Sequence, residues 1–81
     1  MSHLKSKTAV ITGASRGIGA ATARHFAAEG ANVVLAARTT AEIEAIAEEI
    51  RGAGGAAAAI ACDVSRYEDV EAVMALADTA F

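Results

Sequence analysis

Thr12-Gly13-Ala14-Ser15-Arg16-Gly17-Ile18-Gly19 spaces its glycines as G-x-x-x-G-x-G. It lies between Thr8–Thr12 (TAVIT), a short β-branched apolar run, and a helical pattern that begins near Gly17. A strand that runs through a glycine loop directly into a helix turns free N–H groups, and the positive end of the helix dipole, toward any bound anion. Each glycine has its own duty in such a loop. Gly13 permits the sharp exit from the strand. Gly17 lets an anionic ligand approach the backbone, and Gly19 lets the helix lie close to the sheet. A pyrophosphate is the ligand that this geometry suits. No Lys-Ser/Thr pair follows the last glycine, so the loop is not the phosphate-binding loop of NTPases.

The pattern repeats outward from this loop. Asn32–Ala37 (NVVLAA) and Ala56–Cys62 are two further strand-like runs, apolar throughout rather than alternating. Strands covered on both faces of a parallel sheet read in this way. Three helices alternate with them. The first runs from Gly17 to a stop at Gly30, with Ile18, Ala21, Thr22 and Phe26 along one face. The second is expected to be capped by Thr39 with Glu42 in a capping box, and its Ile43, Ile46, Ala47 and Ile50 recur at helical spacing. Glycines 52, 54 and 55 end it. The third is expected to start with a capping box of Ser65 and Glu68 and to present Val70, Val73, Met74, Ala77 and Phe81 as one stripe. The fold class is therefore α/β. The order β-α-β-α-β-α with a three-stranded parallel sheet makes a partial Rossmann, or doubly wound, fold whose second half is absent. Residues 1–81 form the N-terminal half of such a domain, with 1–5 as a terminal segment. In that topology the first strand is central, so here its outer hydrogen-bonding edge is expected to be bare.

Composition sets the outer limits. The 81 residues are 54% hydrophobic and 21% charged, as in a globular chain. They number fewer than an ordinary domain, and there are only two Phe, one Tyr and no Trp to fill a core. One Cys forms no internal disulfide, and His and Cys do not cluster as a metal site requires. No staple and no charged strand edge is visible, so the chain is expected to need a partner: a C-terminal half or a second copy. The net charge of −3 speaks against nucleic acid as a partner. It is unevenly spread. Residues 1–38 carry five cations against Glu29, and residues 39–81 carry nine acids against Arg51 and Arg66. The longest apolar stretch is far short of a membrane span. MSHLKSK has no signal-peptide core, and a reduced cytoplasmic setting is expected.

TGASRGIG, followed by GANVVLAAR at 30–38 and CDVS at 62–65, resembles the N-terminal part of the short-chain dehydrogenase/reductase family. The likeness extends over residues 6–81 and is greatest to the NADP-dependent members typified by 3-oxoacyl-acyl-carrier-protein reductases. It implies an oxidoreductase that uses NAD(P)H to move a hydride between a carbonyl and an alcohol. It also implies a cofactor site made from Gly13, Ser15, Arg16, Gly17, Ile18 and Gly19 in the loop, Arg38 after the second strand, and Asp63 with Val64 after the third. In NAD-binding sheets an acid at the end of the second strand holds the ribose hydroxyls. Ala37 and Arg38 stand there instead. Arg38 has the forked donors to clamp a 2′-phosphate, and the resemblance places Arg16 and the Ser15 hydroxyl beside it. NADP(H) is thus preferred over NAD(H). By the same resemblance, Asp63 accepts a hydrogen bond from the adenine amino group and the backbone of Val64 assists.

The remaining polar residues carry less. Cys62 reads as a small buried hydrophobe, His25 as a helix-surface residue, the glutamates of the second helix as a solvated face, and Tyr67 as a packing residue. The family's catalytic serine, tyrosine and lysine come after a fourth strand. The one tyrosine here, Tyr67, is followed four residues on by Glu71 rather than lysine. No catalytic residue transfers, and the chain alone is expected to be inactive. A second expectation stands beside the first: a non-catalytic half-Rossmann module that binds a nucleotide or self-assembles into a homo-oligomer through its bare strand edge.

Overall fold

A computed structural model describes residues 7–13 and 17–81. Six elements follow one another: β1 (Thr8–Thr12), α1 (Gly17–Ala28), β2 (Asn32–Ala37), α2 (Thr40–Gly52), β3 (Ala56–Ala61) and α3 (Tyr67–Ala80). The sheet is parallel in the order β1-β2-β3, with Thr8 opposite Asn32 and Asn32 opposite Ala56. The partial doubly wound α/β fold expected from the sequence is the fold observed. β3 ends one residue earlier than expected, although Cys62 N–H still donates to Ala37 O at 2.8 Å.

β2 lies in the middle, and its side chains divide the core. Val33, Leu35 and Ala37 face α1 and α2, joined by Ala20, Ala23, Ala31, Ile43, Ile46, Ala47, Ile50 and Ala57. Val34 and Ala36 face the opposite side with Cys62 and Val73 of α3. α1 and α2 pack on one face with the larger cluster, while α3 packs alone on the other through Val73. The cores are unequal in consequence: among the described residues, eleven buried residues lie on one face against four on the other. β2 is the strand buried on both faces. β1 alternates between half-buried and exposed, and Val10 remains 37% exposed.

Five helix details differ from expectation. The buried face of α1 is Ala20 and Ala23, with Phe26 and Ala27 partly buried against the core, while Ile18 is 86% exposed and Ala21 is exposed. Alanines seat this helix because their short side chains allow it to approach the sheet. Thr39 does stand at the N-cap of α2, but its side chain makes no capping hydrogen bond. Arg66, not Ser65, is the N-cap of α3, and Tyr67 is 73% exposed rather than packed. In the α3 stripe Val73 is buried and Ala77 partly so, but Val70, Met74 and Phe81 are exposed because nothing lies on the far side of this single helix.

The outer edge of β3 carries a cation that the sequence reading overlooked. Arg51, in the last turn of α2, donates from Nη1 to Ala57 O at 2.7 Å. On the exposed face Arg24 Nε of α1 meets Glu49 Oε2 of α2 at 2.7 Å, with a second contact from Nη2 to Oε1 at 3.3 Å. His25 lies against Phe26 on the helix surface, with ring centroids 6.3 Å apart. Among the described residues, no helix is long and apolar enough to cross a membrane.

Candidate functional site

The parallel register delivers three chain exits to one end of the sheet. Thr12 pairs with Ala36, and Ala37 pairs with Ala61, so Gly13, Arg38 and the Cys62-Asp63 segment leave the strands at nearly one level. In open α/β sheets that end is where ligands bind.

Gly13 and Gly17 both occupy the left-handed region, at φ 63° and 62°. L-residues other than Gly rarely adopt that region. Among the described residues, a Cβ placed on either glycine would meet nothing within 4 Å, and both glycines are exposed. Gly17 is the first residue of α1 and Gly19, half-buried, is its third. Ile18 is exposed beside them. Ser15 and Arg16 lie outside the described residues.

Arg38 is exposed at the end of β2. Its guanidinium and that of Arg66 act electrostatically on Asp63, which follows β3. The Asp63 carboxyl is held below its ordinary value. The Ser65 hydroxyl is the main cause, then the Ser65 N–H; burial opposes them, and Arg38 and then Arg66 add smaller lowering contributions. Ser65 Oγ and N donate to Asp63 Oδ1 at 2.7 and 3.0 Å. Ser65 stands one residue before the N-cap Arg66, and its hydroxyl and N–H both donate to Asp63, the side-chain-to-backbone turn to which Asp is well suited.

Two further bonds complete the turn. Arg66 N donates to Asp63 O at 2.9 Å. Asp63 N donates to Asp69 Oδ2 at 3.0 Å. Asp69 is a residue that sequence reasoning missed. Its one signal was position, an acid in the first turn of α3 directly after the Glu68 assigned to the capping box. Val64, at the tip of the turn, is 65% exposed. Cys62 is buried under the turn, and burial, then the negative charges of Asp69 and Asp63, push its thiol up. That is the small buried hydrophobe expected.

Two surface concavities lie elsewhere. One, of about 630 Å³, runs along the outer side of β3 past Glu44, Glu48 and Arg51. The other, of about 200 Å³, lies between the C-terminal ends of α1 and α2, at the opposite end of the sheet.

Comparison with known proteins agrees with this arrangement. A family model described as short chain dehydrogenase matches residues 7–81. The chain is 52% identical over 73 residues to a 3beta-hydroxysteroid dehydrogenase 1 of Eggerthella lenta, covering 86% of this chain and 27% of that protein. Among solved structures, a metagenomic short-chain oxidoreductase in complex with NADP superposes with a TM-score of 0.83 at 47% identity, over 93% of this chain and 35% of that one. A 3-ketoacyl-ACP reductase from Sinorhizobium meliloti 1021 superposes with a TM-score of 0.88 at 43% identity, over 91% of this chain and 29% of that one. The chain thus spans between about a quarter and a third of the length of these relatives. With its glycine turn, its parallel three-stranded sheet and a family match over nearly all of its residues, the chain belongs to the short-chain dehydrogenase family.

Proposed function

We propose that this chain is the N-terminal, NADP(H)-binding part of an oxidoreductase that transfers hydride between a carbonyl and an alcohol. The observation that carries the reading is that Gly13, Arg38 and Asp63 follow three paired strands at the same end of the sheet, with Ala37 where an NAD-type site has an acid.

The residues present fit a dinucleotide. Positive φ at Gly13 and Gly17, with empty space where a Cβ would stand, leaves the start of α1 accessible to a pyrophosphate. Arg38 supplies a fork for the 2′-phosphate, and Ser15 and Arg16 add a hydroxyl and a second cation in this reading. Asp63 accepts from the adenine amino group, and the backbone of Val64 and Ile18 completes the cradle with Gly19. When bound, NADP(H) supplies the hydride, while these residues orient the adenosine end and neutralise its phosphates. No residue of this chain is assigned a catalytic role.

A charge-assisted hydrogen bond contributes roughly 1.5–3 kcal/mol, or about 10- to 150-fold in affinity. Titration of the chain at low salt with NADPH and NADH is expected to show saturable binding and an NADPH preference within that range. Ala37→Asp combined with Arg38→Ala is expected to turn the preference toward NADH. An unchanged affinity ratio in that double variant would sink the assignment of Arg38.

A further inference from the structure

We propose that Asp69 is a positioning residue that sets the base specificity of this site, acting through Asp63. The inference rests on the reading that Asp63 faces the adenine. Asp63 is unusually constrained for a residue in a loop. Its N–H goes to Asp69 Oδ2, its carbonyl takes Arg66 N–H, and its Oδ1 takes both Ser65 donors. Among the described residues only Oδ2 has no hydrogen-bond partner, and that is the atom available to a ligand's amino group.

Three of these bonds come from within the turn 63–66 and move with it. The fourth is different, since Asp69 is held in the first turn of α3 with its own N–H on Arg66 O at 3.2 Å. The backbone joins the turn to α3 at Arg66, whose O accepts from the Asp69 and Val70 N–H groups at 3.2 Å; Asp69 adds the side-chain tie that reaches back to Asp63 itself from a helix packed on the sheet through Val73. An exocyclic amino group is recognised by one fixed acceptor, so a turn that can rotate about the end of β3 loses discrimination before it loses its phosphate contacts. Asparagine at 69 retains an acceptor oxygen for Asp63 N–H, whereas alanine does not.

The experiment compares NADP⁺ with its hypoxanthine analogue, in which a carbonyl replaces the adenine amino group. Binding is measured with the full chain, unsubstituted and as Asp69→Ala and Asp69→Asn. The unsubstituted chain is expected to prefer adenine by about 10-fold, from the single hydrogen bond to a charged group. Asp69→Ala is expected to cut that preference to about 2-fold while the NADP⁺/NAD⁺ ratio stays as it was, and Asp69→Asn is expected to keep it. Amide exchange gives a reading that needs no ligand: the Asp63 N–H is expected to be protected in the unsubstituted chain and in Asp69→Asn, and unprotected in Asp69→Ala. An adenine preference that survives Asp69→Ala overturns this inference alone, as does an Asp63 amide that exchanges equally fast in the unsubstituted chain and in Asp69→Ala. Equal binding of both bases by the unsubstituted chain, or binding of neither, overturns the assignment of Asp63 to adenine and this inference with it.

Discussion

Asp63 is the residue on which the local electrostatics converge. Its carboxyl lies below the ordinary value because Ser65 donates twice to it, with Arg38 and Arg66 nearby. A carboxyl depressed in the folded chain contributes stability above its unfolded value of about 3.9, and that contribution is lost as pH falls through the folded value. The chain is therefore expected to lose stability on acidification below about pH 4. Asp63→Asn should flatten that limb of the pH profile, and an unchanged profile would contradict the assignment. Cys62 behaves in the opposite sense, since burial keeps its thiol protonated. Its reaction with a disulfide reagent at pH 8 is expected to be slow in the native chain and rapid once denaturant exposes it. Arg38 and Asp63 were legible in the sequence because each directly follows an apolar run that ends a strand. Asp69 was not, because Ser65 and Glu68 satisfy the capping-box pattern on paper. Pattern alone does not reveal that α3 starts one residue later, at Tyr67 behind Arg66, with Ser65 in the turn that donates to Asp63.

Among the elements, the α2–β3 connection gives the sharpest test of packing. A Cβ on Gly55 would stand 2.8 Å from Ile50 Cγ2 and 3.2 Å from Ile50 O. Ile50 is buried and β-branched, so it has little room to yield. Gly55→Ala is expected to destabilise the chain by about 1–3 kcal/mol. Gly52→Ala is the control. It lies in the last turn of α2 with nothing within 4 Å of an added Cβ, and is expected to stabilise by up to about 1 kcal/mol. Urea midpoints that move in the same direction for both would refute the packing argument. α2 was readable from sequence because Ile43, Ile46, Ala47 and Ile50 mark its inner face with large side chains. α1 was misread because the stripe through Ile18 looked apolar, while the working face is alanine and counts weakly in any hydrophobic pattern.

For the molecule as a whole, stability is concentrated on one face of the sheet. Leu35 is fully buried at the centre of the larger cluster, and Leu35→Ala is expected to cost about 2–5 kcal/mol. That is a large part of the roughly 4–12 kcal/mol usual for a chain of this length, so thermal unfolding should shift markedly or the native state be lost. The other face is thinly covered: Val10, Val70, Met74 and Phe81 stay exposed around α3. Residues on that face predict concentration-dependent self-association, and a monomer by light scattering at micromolar concentration would contradict it. The opposite margin of the sheet behaves differently. Ala56–Ala61 is six residues without charge or proline, the kind of segment that seeds cross-β aggregates when its flank is open. Arg51, bonded to Ala57 O, is then a gatekeeper that keeps an incoming strand from docking there. Removing this one guanidinium should shorten the lag before thioflavin-positive fibrils form, even where the folded chain is no less stable.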